Sequence, residues 1–570
     1  MVGLLVRVLW FLVWLLLLPW RAARRMVRVP FGTYLFVELD GAVSELPGAG
    51  SLRWPLAQPR RASLHDLTAV CDEMERDPRV GGLLIVLRHV RGGFATMRSL
   101  RDLLARARAA GKQVVVALPS GGATKETYAA VAADRVILGP VASLAPVGVL
   151  SSTRYLRGAL DRAGIVPEVH ARGRYKTAAE TLELAAMSDP QREQVGAVLD
   201  RLHFELVQAI AAGRSVDEAT ARKLVDGAPY AGEEAKASGL VDEVAYEDNI
   251  AGKLAGGGET PALRPADGYL RSRQALRTRA FAPRGVLAVI AVHGMIVQSP
   301  GPPVGAMAVA DRVRASIRRA RADPRVRGVL LHVDSPGGGA LASDQIHHEL
   351  ALLAAEKPLV ACMGDVAASG GYYVAVAAHE IYAQPTTITG SIGVVSARLV
   401  IEPLLARLGV ATEVLQRGEH ARLLAPLVAL DEGARGAVER EIEAMYRAFL
   451  QVVAAGRKRT PEEIEPLAQG RVWTGADAYK RGLVDRLGGF EPALRALRER
   501  VGVGAEKMRV VALRPPRNPM SAVAMSGSGT FGAIIRRLEQ VALASGVDPR
   551  LLALADERVL VYSPWAAGIL

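Results

Sequence analysis

An internal duplication is the feature that most constrains how this chain of 570 residues can fold. Four blocks from the first half recur in the second half in the same order, with offsets that drift only from 246 to 243 residues. The matching blocks are DPRVGGLLIVL and DPRVRGVLLHV, YAAVAADRVIL and YVAVAAHEIYA, PEVHARGRYK and TEVLQRGEHA, and YAGEEAKASGLVD and WTGADAYKRGLVD. Self-similarity at one fixed period indicates two copies of a single structural plan.

Each copy reads as alternating buried strands and helices. In the second half, the apolar run RGVLLHV is followed by a glycine-rich turn, a helix from about 342 to 355 and the run PLVACM. The first half repeats this pattern with GLLIVL, a helix ending at Gly111 and QVVVAL. Short continuous apolar runs are typical of parallel strands covered on both faces. We therefore predict an α/β fold made of two tandem duplicated domains.

The repeats and the composition between them predict the domain boundaries. Residues 29–250 form the first domain and 286–505 the second. The intervening stretch 251–285 is rich in Gly, Pro and Ala, which is typical of a linker. Residues 1–28 are predicted as a membrane anchor or signal-anchor and 506–570 as a C-terminal tail, to which the sequence assigns no function.

Composition excludes several classes of protein. Half of the residues are hydrophobic and 23% are charged, which excludes a disordered, collagen-like or polytopic membrane protein. Two cysteines exclude a disulfide scaffold and a cysteine-rich metal site, and both are expected to be buried free thiols. The net charge of +13 does not indicate a nucleic-acid site, because no stretch interleaves basic and aromatic residues.

The N-terminus carries an apolar run from Val8 to Trp20, preceded by Arg7 and followed by four arginines. Extended back to Gly3 it reaches about eighteen residues, just enough to span a bilayer. A cleaved signal peptide lacks support because no small-x-small site follows the run. The trailing arginines argue against export of the chain that follows. A segment that lies in the membrane interface therefore remains an alternative to an anchor that spans the membrane.

Chemistry is expected at the carboxyl ends of the parallel strands, where α/β sheets bind ligands. Two such ends in the second half have unusual sequences, DSPGGG and GDVAASGGYY. Ser369 lies in the latter, where a strand turns into a helix. Such a serine can be a simple N-cap. However, Gly370 and the neighbouring glycine-rich turn can both offer backbone N–H groups, and two such donors beside one hydroxyl can form an oxyanion hole.

A nucleophilic serine needs a base. The second half offers candidate histidines, among them His347, His348, His379 and His420, but no spacing selects one. The first half offers Lys176, in a chain where only ten of the 71 basic residues are lysines. A lysine acts as a base only when burial lowers its pKa.

The repeat gives the sharper argument for a shared site. The position equivalent to Ser369 in the first half is Thr124, and the position equivalent to Lys176 in the second half is Ala421. Each half therefore retains one of the two candidate residues. Duplication followed by complementary loss predicts a single site to which both halves contribute.

At these residues the sequence resembles the signal peptide peptidase A family, serine peptidases of the S49 class, in its long duplicated form. The motifs that carry the resemblance are DSPGGGALASDQI, GDVAASGGYYVAVAA, TGSIGV, GRVWTGADAYKRGLVDRLGG and GRYKTAAE, within about residues 70–500. The resemblance implies a ClpP/crotonase-like fold and a membrane-tethered peptidase that cleaves remnant signal peptides. It also implies a ring or bowl assembly, which for a duplicated chain would be a homotetramer.

The same resemblance implies roles for individual residues. Ser369 matches the nucleophile, Lys176 the general base and Ser391 a serine that orients the lysine. Gly370 and Gly338 match the oxyanion donors. No metal or other cofactor is expected, and the partners are peptides and a membrane rather than nucleic acid. The expected location is the bacterial cytoplasmic membrane, with the bulk of the chain on its outer, periplasmic side.

Two alternatives remain at this stage. A crotonase-like enzyme would use glycine-rich strand ends to act on acyl-CoA thioesters, and a duplicated domain that has lost residues could be an inactive scaffold. The retention of one serine and one lysine in complementary halves disfavours both.

Overall fold

The computed structural model describes residues 16, 29–46, 63–255, 258–277, 285–299, 307–425, 427–513 and 560–562. Apart from Leu16, the apolar run and its trailing arginines lie outside the described residues. Within the described part of the chain, no helix combines the length and the apolar character that crossing a membrane requires.

The strands are numbered in chain order. They are β1 Thr33–Ala42, β2 Val80–Arg91, β3 Gln113–Leu118, β4 Gly122–Ala123, β5 Arg135–Leu138, β6 Ser143–Ala145, β7 Val166–Arg172, β8 Tyr230–Ala231, β9 Glu243–Val244, β10 Leu263–Pro265, β11 Val286–His293, β12 Met295–Val297, β13 Met307–Val309, β14 Val326–Ser335, β15 Gly337–Gly339, β16 Leu359–Ala368, β17 Glu380–Ala383, β18 Ile388–Gly390, β19 Val394–Val400, β20 Val472–Thr474, β21 Arg486–Leu487, β22 Arg509–Ala512 and β23 Leu560–Tyr562.

The α-helices are numbered in the same way. They are α1 Leu64–Glu75, α2 Phe94–Ala109, α3 Thr124–Ala130, α4 Arg157–Ala163, α5 Glu180–Glu183, α6 Asp189–Arg214, α7 Glu218–Asp226, α8 Gly232–Ala237, α9 Ile250–Leu254, α10 Ala266–Arg277, α11 Ala310–Ala322, α12 Ala340–Glu356, α13 Gly370–Ala375, α14 Glu402–Arg407, α15 Glu432–Arg457, α16 Pro461–Ile464, α17 Gly475–Lys480 and α18 Phe490–Val501.

The chain forms two compact units. Unit 1 takes its residues from 1–149, 202–286 and 504–512, and unit 2 from 150–201, 287–503 and 513–570. The segment 150–201 precedes the repeat boundary in the sequence but belongs to unit 2. Unit 2 therefore contains both Lys176 and Ser369.

Unit 1 is built on a parallel sheet with the order β10-β1-β2-β3-β5-β9. Its central strands β2 and β3 are buried along most of their length, as the apolar runs predict. A smaller sheet joins β4, β6 and β8. Helix α1 begins where the Ser63 side chain accepts a hydrogen bond from the Asp66 N–H, a standard N-cap.

Unit 2 repeats this order of strands. Strands β11-β14-β16-β17-β21 follow one another as β1-β2-β3-β5-β9 do in unit 1. The aspartates that precede the last strands of the two sheets, β9 and β21, also make equivalent hydrogen bonds. Asp242 accepts a hydrogen bond from the Val136 N–H and Asp485 one from the Ile381 N–H, at 2.7 and 2.8 Å. The predicted α/β duplication is thus confirmed in the fold of each unit.

Strand β16 is the strand that leads to the site. Its first part pairs with β14 and β17, and its last residues pair with β18. Strand β14 ends at Ser335, which lies in register with Ala367 near the end of β16. The carboxyl ends of two neighbouring parallel strands therefore meet at one edge, as expected for a ligand site in an α/β sheet.

The predicted linker 251–285 contains more structure than its composition suggested. Strand β10 pairs with β1 in unit 1, and helix α10 follows directly. The Tyr269 hydroxyl on α10 donates to the Asp77 carboxylate at 3.1 Å. The glycines and prolines of this stretch lie mostly before 263 and after 277, so the sequence between them is free to form a helix.

Candidate active site

Ser369 occupies the turn between the last residue of β16 and the first residue of α13. Its φ of 54° and ψ of −115° lie in a region that residues other than glycine rarely adopt. Its N–H donates to the Gly390 carbonyl at 2.8 Å, and its carbonyl accepts from the Tyr373 N–H at 2.8 Å. A tight strand-to-helix turn of this kind presents a side chain beyond the end of the strand, where a nucleophile can reach a substrate.

Lys176 reaches the same place from another direction. It follows strand β7, which pairs antiparallel with β19 along its whole length. Beyond β7, the Tyr175 N–H donates to the Gln469 carbonyl at 2.7 Å, which holds the backbone next to the lysine. The Lys176 amine lies 2.8 Å from the Ser369 hydroxyl oxygen. Unit 2 thus brings together the two residues that the repeat assigned to complementary halves.

The amine is surrounded by three oxygen atoms. Besides the Ser369 hydroxyl, the backbone carbonyl and the hydroxyl of Ser391 each lie 3.1 Å from Nζ. A neutral amine has two N–H donors and one lone pair, whereas an ammonium has three donors and no acceptor. Two donors directed at Ser391 leave the lone pair of a neutral amine to accept the Ser369 proton.

Burial favours that neutral form. Lys176 is only 4% exposed and Ser369 is fully buried. Removing an ammonium from water penalises its charge, so burial lowers the pKa of the Lys176 amine well below its ordinary value. Burial therefore favours an uncharged amine beside the alcohol, which is the arrangement that a lysine general base requires.

Ser391 is fixed by its own backbone. It follows Gly390 after strand β18, with a φ of 53°, and its N–H donates to the Arg471 carbonyl at 2.7 Å. Both oxygens of Ser391 that contact Lys176 are therefore held by a strained turn. The structure places Ser391 where the sequence prediction expected a residue that orients the lysine.

The two predicted oxyanion donors lie on adjacent elements. Gly370 is the first residue of α13, directly after Ser369. Gly338 is the middle residue of β15, which starts two residues after β14 ends. A side chain at Gly371 would lie 2.6 Å from the Ser335 carbonyl oxygen, so the first turn of α13 packs closely against the residues that lead into β15.

Two of the alternative bases, His379 and His347, contact other groups. The His379 ring accepts from the Leu359 N–H, and the His347 ring packs edge-on against Tyr373. Burial lowers the pKa of His347 to about 4. The hydroxyl of Ser369 instead has the Lys176 amine as its partner. Cys71 and Cys362 are buried free thiols, as predicted, and burial raises the pKa of Cys71 to about 12.

The sequence analysis did not identify Gln194, a fully buried residue on α6 that hydrogen-bonds the residues before and after Lys176. Its amide N–H groups donate to the Tyr175 carbonyl at 3.0 Å and to the Thr177 hydroxyl at 2.9 Å. Its amide oxygen accepts from the Val472 N–H at 3.2 Å. An isolated glutamine in a helix gives no signal in a sequence, because its role depends on contacts made 278 residues away.

Gly470 was also missed. It has a φ of 73°, and a β-carbon there would lie 2.5 Å from the Lys176 backbone nitrogen and 2.6 Å from its β-carbon. Its N–H donates to the Ile392 carbonyl at 2.7 Å. Gly470 therefore lets two backbone segments approach closely enough to seat the lysine.

Comparison with known proteins identifies relatives over most of the chain. The family model described as Peptidase family S49 matches residues 106–259 and again 351–504. The chain is 29% identical to a protein named Serine protease SPPA, chloroplastic, from Arabidopsis thaliana, covering 83% of this chain and 72% of that one. It is 32% identical to Protease 4 from Salmonella typhi, covering 76% and 71%. Among solved structures, a ClpP1 mutant from Listeria monocytogenes matches at 14% identity and a TM-score of 0.24, over 36% of this chain and 93% of that one, a similarity too low to support a conclusion.

Proposed function

The chain belongs to peptidase family S49, and on this basis we propose that it is a membrane-associated serine endopeptidase that cleaves apolar peptides such as remnant signal peptides. The family resemblance predicted from the sequence motifs is confirmed, and with it the assignment as a serine-type peptidase. The observation that carries the proposed mechanism is the 2.8 Å separation between the buried Lys176 amine and the Ser369 hydroxyl.

In the first half of the proposed reaction, the Ser369 oxygen attacks the peptide carbonyl carbon while its proton passes to the lone pair of Lys176. The new C–O bond places negative charge on the former carbonyl oxygen, and the N–H groups of Gly370 and Gly338 stabilise it. The ammonium of Lys176 then gives its proton to the departing amine nitrogen as the C–N bond breaks. Ser369 is left acylated and Lys176 neutral.

In the second half, a water molecule takes the place of the leaving peptide. Lys176 accepts a proton from the water as its oxygen attacks the acyl carbon, and the same N–H groups stabilise the oxyanion. Lys176 returns its proton to Ser369 as the ester bond breaks, which restores the starting site. Ser391 holds the amine in position throughout, because its two oxygens keep the N–H donors occupied.

The remaining parts of the proposal concern setting and assembly. The apolar run from Val8 to Trp20 supports membrane association. The family resemblance, rather than the charges that flank this run, supports placing the body of the chain on the outer side of a bacterial cytoplasmic membrane. The repeated strand order supports a ClpP/crotonase-like domain in each half. A homotetramer is proposed because four duplicated chains supply as many domains as a ring of eight single-domain chains.

A serine-reactive fluorophosphonate probe tests the proposed nucleophile. We expect the probe to acquire a single covalent attachment at Ser369, located by mass spectrometry of peptides, and to stop hydrolysis of a fluorogenic apolar peptide in proportion to labelling. Ser316 is the internal comparison, because it is a buried serine in unit 2 whose hydroxyl donates to a helix carbonyl. Labelling elsewhere, or hydrolysis that persists after complete labelling of Ser369, would refute the proposed mechanism.

The substitution Gly470→Ala tests whether the position of Lys176 matters. A methyl group at 470 would displace the lysine backbone, and we expect kcat/KM for the peptide to fall on the order of 10²-fold. Gly409→Ala is the matched control, because Gly409 has a similar φ of 77° but a methyl group added there would have no atom within 4 Å. Equal losses of activity in the two variants would mean that backbone strain rather than displacement of Lys176 is responsible.

A further inference from the structure

Arg471 contacts both segments that hold the Lys176 amine. Its backbone carbonyl, directly before β20, accepts a hydrogen bond from the Ser391 N–H at 2.7 Å. Its guanidinium carbon lies 4.7 Å from the centre of the ring of Tyr175, the residue before the lysine. Arg471 therefore holds Ser391 through its backbone and contacts the lysine segment, residues 173–177, through its side chain.

Charged groups around the Tyr175 side chain include Arg174, Arg471 and, on α6, Glu193. The phenol hydroxyl donates to one Glu193 oxygen at 2.9 Å, and the other oxygen pairs with the Arg471 guanidinium at 2.7 Å. A cation over an aromatic ring is attracted to its face. Tyr175, Glu193 and Arg471 thus form a closed cycle of three contacts, which fixes the phenol from two sides.

The cycle acts where the sheet pairing stops, because strand β7 ends at Arg172, four residues before Lys176. The lysine is buried, whereas the side chains of Glu193 and Arg471 are 47% and 21% exposed. The cycle therefore reaches from the surface to the residue beside the base. A displacement of the base by about 1 Å can cost on the order of 10²-fold in rate. Water admitted to the amine would also raise its pKa, because hydration favours the ammonium.

We propose that Arg471 is a positioning residue that acts through the general base. Its ion pair with Glu193 and its contact with Tyr175 hold the lysine segment against the backbone that fixes Ser391. The closed cycle carries this assignment, since an isolated surface ion pair contributes little. The inference rests on the proposed function and specifies how its base is kept in place.

Arg481 provides a matched control. Its guanidinium carbon lies 3.9 Å from the centre of the Trp473 ring, and that of Arg471 lies 4.6 Å from the same ring. Arg481 pairs with the Asp477 carboxylate at 3.6 Å and donates to the Asp477 carbonyl at 3.1 Å. Replacing either arginine by methionine therefore removes a cation from Trp473, but only Arg471→Met opens the cycle around Tyr175.

The pH profile of peptide hydrolysis tests the inference. Because the base acts only when neutral, kcat/KM falls as the pH drops through the pKa of Lys176. We expect Arg471→Met to move this acid limb upward by at least about one pH unit, which lowers kcat/KM at least about tenfold at a pH below the limb. Arg481→Met should keep the acid limb of the parent.

Glu193→Gln opens the same cycle at an exposed side chain of α6 and should move the limb in the same direction. It carries the test if Arg471→Met does not fold. A loss of activity that is equal at every pH in both variants would mean that the cycle only stabilises the fold, and would overturn the inference.

The pKa of the Lys176 amine, measured without catalysis, separates this inference from the proposed function. In a Ser369→Ala background, NMR of ¹³C-labelled lysine should give a Lys176 pKa at least about one pH unit higher in Arg471→Met than in Arg481→Met. That increase with no hydrolysis in the parent would retain the inference and refute the peptidase. Hydrolysis in the parent with equal Lys176 pKa values in the two arginine variants would overturn the inference alone.

Discussion

Replacing Lys176 by methionine is expected to abolish peptide hydrolysis, with kcat/KM falling on the order of 10⁴- to 10⁶-fold. Methionine has a similar length and suits a buried site, but it has no lone pair basic enough to accept the Ser369 proton. The amine lies 2.8 Å from the Ser369 hydroxyl, and the structure gives that hydroxyl no other proton acceptor among the described side chains. Hydrolysis of a fluorogenic apolar peptide measures the loss.

Lys357→Met is the matched control. Lys357 is also in unit 2, its pKa is also lowered by burial, and its amine donates to the carbonyls of Ala320 and Asp323. It thus shares the chemistry of Lys176 but not its position beside a serine. We expect its activity to stay within about twofold of the parent. Activity retained in Lys176→Met would remove this lysine as the base.

The melting temperature of Lys176→Met gives a second test, for which the direction of the change can be predicted. Because burial holds the pKa of the folded Lys176 amine well below 10.5, the unfolded chain binds more protons at any pH between the two pKa values, and folding there must displace one. The variant is therefore expected to have a higher melting temperature than the parent. The difference in melting temperature between the variant and the parent should become smaller as the pH rises towards 10.5, because Lys176 of the unfolded parent then also loses its proton. A gap independent of pH would contradict burial of a neutral amine.

Replacing Ser369 by alanine is expected to lower kcat/KM on the order of 10⁶-fold, because no covalent acyl-enzyme can form without the hydroxyl. The fold should persist, since the N–H and carbonyl of residue 369 make its structural hydrogen bonds. Alanine at this position keeps both groups. Peptide hydrolysis measures the loss, and Ser316→Ala, which removes another buried hydroxyl of unit 2, should leave activity close to that of the parent.

The two replacements are expected to be strongly non-additive. Once Ser369 has lost its hydroxyl, there is no proton for Lys176 to accept, so adding Lys176→Met should cost little more. Losses that multiply in the double variant would show that the two side chains act independently.

The sequence predicted the parts of the fold and site that depend on repetition and local pattern. Apolar runs of six or seven residues identified β2, β3, β14 and β16, because a strand covered on both faces has an apolar residue at nearly every position. Comparison of the repeats singled out Ser369 and Lys176, because each position has a residue of different chemistry in the other copy.

What the sequence did not predict depends on contacts between distant segments. Residues 150–201 join unit 2 through the pairing of β7 with β19, and no local pattern distinguishes that partner from any other edge strand. Gln194 and Gly470 matter only because they meet the backbone around Lys176. The place of β23 beside β15 also depends on backbone pairing, which leaves no trace in composition.

The most direct test of the mechanism is the pKa of the Lys176 amine itself. The chain has only ten lysines, so ¹³C-labelled lysine and comparison with Lys176→Met can assign the signal of Lys176 in an NMR titration. A neutral base requires that this signal titrate well below 10.5, and that kcat/KM fall as the pH drops through the same value. A Lys176 signal that titrates near 10.5 together with the exposed lysines would contradict the assignment of Lys176 as the base.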